Sequence, residues 1–220
     1  MTIMKELLGL RPSAPIISQY INSLAEAAKI PKGTTPGPEI KSYSDAVYFN
    51  YYPLGISLVF VPTDGYKPKT GLELDHLQQE KLVLDSIDIY NVPKTPVTDT
   101  DESKSSRSEL VFTTFPVSPI VLPITAQPKD QDGKIIERRP QLDITLESSG
   151  KDFVGALGEP DRKGGGTGPS SGSINIWCEW SKDGLMVEFG GAQSKGPRAW
   201  DTGKDATWKV ITIFRPVKRD

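Results

Sequence analysis

The sequence predicts an α+β fold of two related halves, each a helix packed on an antiparallel sheet, which form one packed unit or share a continuous sheet. Three observations support this prediction. The stretch YFNYYPLGISLVF at 48–60 shares its spacing of aromatic and apolar residues with WCEWSKDGLMVEF at 177–189. A further strand-like pattern follows each stretch, SIDIYN at 86–91 and VITIFR at 210–215. A segment with helical periodicity precedes each stretch.

The helices are predicted from their apolar spacing and their end signals. The first has Pro15 in its first turn and ends before Pro31. Its apolar residues recur at helical spacing: Ile17, Tyr20, Ile21, Leu24 and Ala28. The second is shorter, with Ser148 or Ser149 as its N-terminal cap and Gly158 as its stop. Its apolar face consists of Phe153, Val154 and Leu157.

Each long stretch has the pattern of a β-hairpin. Numbered from Gly55 or Gly184, aromatic residues lie seven and four positions earlier, and a phenylalanine lies five positions later. Residues between the glycine and the phenylalanine alternate as in a strand with one buried face. PLG and KDG supply the turns. In the third strand of each half two isoleucines point inward: Ile87 and Ile89, then Ile211 and Ile213.

The two halves are predicted at residues 1–91 and 146–220. Between them, residues 92–109 are rich in proline, serine, threonine and charge, which is typical of a surface loop or linker. Residues 110–145 are predicted to form connecting strands.

In the connecting region, the sequence predicts a short strand near 110–115 and a hairpin that turns at Asp132 and Gly133. The second arm of that hairpin alternates Leu142, Ile144 and Leu146. Two permissive loops, at 31–39 and 162–173, are predicted between helix and hairpin in the two halves because of their glycine and proline content.

Charge and cysteine content restrict the possible partners. The chain of 220 residues has 26 basic and 28 acidic side chains and a formal charge of −2, so no net field attracts nucleic acid or an anionic membrane. Cys178 is the sole cysteine, which excludes an internal disulfide. No segment approaches the roughly 20 apolar residues that span a bilayer. We therefore expect a cytoplasmic protein with neither a nucleic-acid nor a membrane partner.

Two features of the sequence could indicate a phosphate-binding or catalytic site, but for each we favour a structural role without such a function. The glycine run at 164–166 could cradle a phosphate, but no Gly-Lys-Ser/Thr follows and the chain enters a strand instead of a helix. His76, the sole histidine, lies near Glu73, Asp75 and Glu80 and could act as a general base or half of a metal site. Without a second histidine we favour an exposed polar residue, and we predict no cofactor, metal or catalytic residue.

Aromatic residues are the best candidates for binding. Four tryptophans fall within 32 residues, and tyrosines crowd the matching region of the first half: Trp177, Trp180, Trp200 and Trp208, then Tyr43, Tyr48, Tyr51 and Tyr52. Trp177 and Trp180 differ in parity, so one is expected in the core and the other outside. Trp200 lies in the polar segment SKGPRAWDTGKD and, with Arg198 and Asp201, is the predicted contact patch. Trp180 and Tyr51 complete the predicted binding residues.

A resemblance supports the shape. The run FVGALGEPDRKGG, followed by IWCEWSKDGLMVEF and WKVITIF, resembles the helix, hairpin and closing strand of the outer-membrane assembly lipoprotein BamE and of the beta-lactamase inhibitory protein family. It covers about the last third of the chain, and more loosely residues 12–91. The resemblance implies a helix-and-sheet unit and a binding protein. With a single cysteine the chain cannot form the cysteine pairs of those proteins, and we expect no lipoprotein signal.

The sequence therefore predicts a non-enzymatic binding protein that recognises a protein partner through its loops and the exposed sheet face. One alternative is a carbohydrate-binding protein, because an exposed tryptophan suits a sugar ring. The other is a hydrolase that uses His76 and carboxylates such as Asp85 with Asp88, or Glu179 with Glu188.

Overall fold

The structure is a computed structural model that describes residues 4–92, 112–124, 127, 133–135, 137–167 and 173–216. The chain divides into two compact units, residues 1–117 and 118–220. Both combine helices with antiparallel strands, which confirms the α+β class. Among the described helices, none has both the length and the apolar character needed to cross a bilayer.

In its described residues, unit 1 contains two α-helices and a four-stranded antiparallel meander. The helices are α1 (Met4–Leu7) and α2 (Pro15–Ala27). The strands pair in chain order: β1 (Glu39–Ser42), β2 (Val47–Tyr51), β3 (Ile56–Pro62) and β4 (Leu82–Tyr90). The predicted helix and the predicted hairpin at 48–60 are thus both present.

A bulge explains the burial pattern of β4. Val59 pairs with Ser86 and Phe60 pairs with Leu84, so Asp85 is the extra residue and is exposed. Leu84 on one side of the bulge and Ile87 on the other can therefore both face the core, although they are three positions apart. Ile87 and Ile89 are fully buried, as the sequence alternation predicts.

The described part of unit 2 contains a separate two-stranded ribbon, two α-helices and a second four-stranded antiparallel meander. The ribbon pairs β5 (Ile120–Pro123) with β6 (Gln141–Ile144). The helices are α3 (Gly150–Leu157) and the short α4 (Ala199–Thr202). The meander consists of β7 (Arg162–Thr167), β8 (Ser173–Trp180), β9 (Leu185–Phe189) and β10 (Trp208–Phe214).

The N-terminal cap of α3 is Ser149. Its backbone N–H and its hydroxyl donate to the carboxylate of Asp152, at 2.8 and 2.7 Å. These two hydrogen bonds lower the pKa of Asp152. The sequence predicts Ser148 or Ser149 as the cap, and the structure has Ser149. The backbone N–H of Ser148 donates to the carbonyl of Thr145.

One tight turn with a left-handed glycine closes the hairpin in each unit. Gly55 has a φ of 59° and Gly184 a φ of 66°. The Gly55 carbonyl accepts the N–H of Tyr90 at 3.0 Å, and the Gly184 carbonyl accepts the N–H of Phe214 at 3.0 Å. A Cβ on either glycine would overlap backbone atoms, of Thr113 and of Phe214 respectively. Both turns therefore require glycine.

The connecting region differs from the prediction. Residues 112–115 form no strand, while 110 and 111 lie outside the described residues. The backbone N–H of Thr113 instead donates to the carbonyl of Tyr52, and that of Phe115 donates to the carbonyl of Tyr90. These single hydrogen bonds satisfy the two N–H groups without continuous strand pairing. Residues 93–109 of the predicted linker also lie outside the described part.

The hairpin predicted around Asp132 and Gly133 is likewise different. Leu142 and Ile144 are buried as their alternation predicts, but their strand, β6, pairs with β5. Asp132 lies outside the described residues. The β5–β6 pairing joins segments about 20 residues apart, so no local turn signal indicates it.

Two strands occur where loops are predicted. The loop at 31–39 ends in β1. Of the glycine-rich segment 162–173, residues 162–167 form β7 and Ser173 begins β8, while 168–172 lie outside the described residues. Glycine has a low strand propensity, but here the indole of Trp177 covers Gly164 from the neighbouring strand, and a Cβ on Gly164 would lie 2.6 Å from that ring. Cross-strand packing therefore overrides local propensity.

Candidate functional site

The structure brings part of the predicted patch together. Trp200, Arg198 and Asp201 lie at α4 and are exposed, Trp200 by 44%. Trp180 and Tyr51 lie in the core instead, 2% and 8% exposed, so neither side chain is available to a partner.

The parity prediction for the tryptophans of β8 is confirmed for the core member, Trp180, whereas Trp177 is half-buried and not fully exposed. Trp180 is buried, and its indole N–H donates to the carbonyl of Gly158 at 2.9 Å. Trp177 points to the other face of the strand and is half-buried, with the guanidinium of Arg162 5.9 Å from its ring centroid. Trp180 therefore stabilises the fold and does not form a contact surface.

Trp200 forms one wall of a groove in unit 2, which we call the Trp200 groove. The groove has a volume of about 420 Å³ and lies among α3, β7, β8, β9 and α4. Its apolar lining consists of Val154, Pro160, Ile176, Cys178, Phe189 and Trp200. A volume of this size is within the range of ligand-binding pockets.

Two glycines shape the groove in different ways. Gly155 on α3 lines the groove, and a Cβ there would meet nothing within 4 Å. Gly203 allows the chain after α4 to approach Ile176, since a Cβ on Gly203 would overlap that side chain. Val154, predicted to lie on the apolar face of α3, is 36% exposed because it borders this opening.

The mouth of the groove is basic. Lys151, Lys163 and Lys204 line it, with Glu159 as the one acidic lining residue in the described part of the chain. The Nζ of Lys163 lies 5.6 Å from the ring centroid of Trp200, a cation–π distance. An apolar interior with lysines at its rim attracts a ligand that is apolar in the middle and negatively charged around it.

The sequence does not reveal these lysines or Gly155 as site residues. Lys204 lies four residues after Trp200, in the same polar segment, but Lys151 and Lys163 are distant from Trp200 in the chain and come near it only in the fold. Helical spacing gives one hint, because Lys151 and Gly155 are four positions apart and lie on the same side of α3.

The remaining chemical candidates do not converge. His76 lies on an exposed 3-10 turn, Leu74–His76, in unit 1. Glu179 is ion-paired with Arg162 at 3.1 Å, and Glu188 accepts from Asn175 at 2.6 Å. In the described ranges, no three His, Cys, Asp or Glu side chains are grouped as metal ligands would be. This arrangement gives the hydrolase alternative no support.

The thiol in the groove is not poised for reaction. Cys178 is 6% exposed, and burial raises its pKa to about 11. The thiolate, which is the reactive form, is therefore scarce at neutral pH.

We expect slow modification of Cys178 in the folded protein. With a disulfide reagent such as DTNB at pH 8, the native thiol should react about a hundredfold more slowly than the thiol in denaturant, since each pKa unit removes about tenfold of the thiolate. The measurement is absorbance against time in both conditions. Equal rates would show that the thiol is open to solvent and ionised.

Comparison with known proteins yields no match: no protein-family model, no curated protein and no solved structure matches this chain. The resemblance to BamE and the beta-lactamase inhibitory protein therefore depends on short motifs alone and stays a prediction.

Proposed function

We propose that this chain is a non-enzymatic, cytoplasmic binding protein whose Trp200 groove holds an extended protein segment with one large apolar side chain flanked by acidic residues. The supporting observation is the apolar groove of about 420 Å³ with a half-exposed tryptophan in its wall and three lysines at its mouth. A tryptophan beside an apolar pocket is a common anchor of protein interfaces.

The charges favour an acidic segment. Lys163 is held beside Trp200, and Lys204 follows α4, so both ammonium groups border the apolar opening. Lys151 is also there, with an exposed ion pair to Asp205 at 3.4 Å. Carboxylates on either side of an apolar anchor would meet these ammonium groups, and a basic segment would be repelled.

The position of β7 favours an extended segment. Within the described part of unit 2, β7 pairs with β8 on one side only and forms the edge of the meander. Arg162, Lys163 and Gly165 of β7 are exposed, and a strand edge can pair with an added strand. Lys163 belongs to this strand, so backbone pairing and charge contact would occur together.

We also propose that the two halves arose as a repeat of one helix-and-meander unit. Supporting this, Gly55 and Gly184 occupy the same place in their turns and accept the same kind of backbone bond. Tyr48 and Trp177, seven positions earlier, are both half-buried, whereas Tyr51 and Trp180 are both in the core. The duplicated feature is the packing unit; the Trp200 groove is described for unit 2 alone.

The proposal is tested with labelled synthetic peptides that carry a central leucine or phenylalanine flanked by glutamates. Fluorescence anisotropy should detect binding to the wild type, and Trp200→Ala should weaken it about tenfold or more, because the wall of the groove is lost. Gly155→Leu should also weaken it, since the side chain would fill the groove. Raising the salt concentration should weaken it further.

Two matched variants serve as controls. Ile174→Ala removes an apolar side chain that is 60% exposed on β8 but does not line the groove. Lys195→Ala removes an exposed lysine elsewhere in unit 2. Both should bind as the wild type does. If no acidic peptide binds, or if Trp200→Ala and Ile174→Ala behave alike, the proposal fails.

A further inference from the structure

The sheet of unit 1 carries a second concave surface, independent of the Trp200 groove. It has a volume of about 390 Å³, and we call it the tyrosine cleft. Aromatic rings form most of its lining: Tyr43, Tyr48, Tyr52, Tyr90 and Phe112. Asn50 and Lys41 complete it.

Strand alternation places these residues on one face. Lys41 of β1 pairs with Tyr48 of β2, and Asn50 lies two positions further along the same strand. Val47, Phe49 and Tyr51, the odd-numbered residues of β2, are all buried on the other face. The cleft is therefore on the side of the sheet that does not form the hydrophobic core.

The aromatic walls are fixed by contacts with one another. Tyr43 and Tyr48 meet edge to face, with their centroids 6.0 Å apart. On the other side Phe112 stacks on Tyr90 at 3.7 Å and meets the edge of Tyr52 at 4.6 Å. Tyr43 is still 45% exposed, so one ring face is free for a ligand. Rings that are already held in place lose little conformational entropy on binding.

A buried amide in the cleft has an unused polar end. Asn50 is 6% exposed, and its Oδ1 accepts the hydroxyl of Ser57 at 2.8 Å. Among the described residues, the Nδ2 of the same amide makes no hydrogen bond. If the amide is turned by 180°, Nδ2 donates to Ser57 and Oδ1 becomes the unused end. Asn50 lines the cleft and Nδ2 keeps some access to solvent, so this end of the amide can form a hydrogen bond to a ligand in place of water.

Further polar groups lie at the rim. The hydroxyl of Tyr52 donates to Oε1 of Glu39 at 3.1 Å, and Nζ of Lys41 lies 3.8 Å from the same oxygen. Burial raises the pKa of Tyr48, so its hydroxyl remains a donor at neutral pH. Donors and acceptors therefore surround an aromatic interior.

We propose that the tyrosine cleft binds a saccharide of one or two residues. The C–H face of a pyranose ring would lie on the free face of Tyr43, and its hydroxyls would pair with Asn50 and with Lys41. A proline-rich peptide also suits aromatic grooves, and its carbonyls match the donors Nδ2 and Lys41, but it has no N–H or O–H to donate to the phenolic oxygens of the cleft. Sugar hydroxyls both donate and accept.

The test is saturation-transfer NMR of the full chain with methyl glycosides of glucose, galactose, mannose and N-acetylglucosamine, together with a glycan array. At least one sugar should receive saturation at its ring protons. Tyr43→Ala should abolish the transfer, and so should Asn50→Leu, which keeps the size of the side chain but removes its polar end. If Asn50→Leu does not fold by circular dichroism, Tyr43→Ala still decides, because that ring is largely exposed.

Tyr66→Ala is the matched control, since Tyr66 is a partly exposed tyrosine of unit 1 outside the cleft. Tyr66→Ala should still bind the sugar. Trp200→Ala should also bind the sugar, because the tyrosine cleft and the Trp200 groove are different sites, so the failure of one proposal can be distinguished from the failure of the other. The proposal is overturned if no glycan binds the wild type, if Tyr43→Ala binds as well as Tyr66→Ala does, or if a decaproline peptide occupies the cleft and no sugar does.

Discussion

Replacing Arg138 by alanine is expected to lower the free energy of unfolding by about 3–5 kcal/mol, the usual result of breaking a buried ion pair from one side. The guanidinium of Arg138 makes two parallel bonds to the carboxylate of Asp183, at 2.9 and 3.0 Å, and both side chains are over 90% buried. It also donates to the carbonyl of Leu157, the last residue of α3. The pair thus fixes the turn between β8 and β9 to the end of that helix.

This prediction can be measured by urea unfolding followed by tryptophan fluorescence. All four tryptophans lie in unit 2, so their emission reports on this unit. The double variant Arg138→Met with Asp183→Asn leaves no buried charge and should recover a large part of the loss. Lys151→Ala, which breaks the exposed pair with Asp205, should change stability by less than about 1 kcal/mol. An equally small effect of Arg138→Ala would contradict the burial of the pair.

Replacing Gly184 by alanine is expected to cost about 2–4 kcal/mol, because strain and overlap act together. Its φ of 66° is disfavoured for alanine, and the added Cβ would overlap the carbonyl oxygen of Phe214. That oxygen belongs to the backbone at the end of β10 and cannot move without disturbing the sheet.

Gly196→Ala separates the two contributions. Gly196 has a φ of 84°, but a Cβ there would meet nothing within 4 Å. The free energy of unfolding of this variant should therefore fall only by the cost of the positive φ, about 1 kcal/mol. Tryptophan fluorescence in urea reports both variants. Equal losses for Gly184→Ala and Gly196→Ala would mean that the turn at 184 is not packed against β10 as described.

The hairpins were accessible to sequence reasoning because their signals are local. The alternation around Ile87 and Ile89, the turn glycines Gly55 and Gly184, and the parity of Trp177 and Trp180 each depend on a few neighbouring residues. The pairing of β5 with β6 and the strand β7 depend on distant partners. In β7, the local propensity of Gly164 favours a loop, but the ring of Trp177 packs on this residue from the neighbouring strand and stabilises the strand conformation.

The candidate site was predictable only in part, for the same physical reason. Trp200 could be identified because its polar neighbours in sequence leave it unburied. The groove beside it forms where α3, β7 and the chain after α4 meet, and the close approach of Gly203 to Ile176 cannot be inferred from local pattern. Burial of Trp180 and Tyr51 follows from the strand face they occupy, which a one-residue change in register would reverse.

The claim that the Trp200 groove is a binding site can be tested by ¹H–¹⁵N NMR, through the indole N–H signals of the four tryptophans during titration with the acidic peptide. The indole N–H groups of Trp180 and Trp208 donate to backbone carbonyls, at 2.9 and 2.7 Å, so these two signals should stay in place. The Trp200 signal, assigned by its loss in Trp200→Phe, should shift and saturate with the added peptide. Saturable binding that leaves the Trp200 signal unmoved, or the absence of any binding, would contradict the claim.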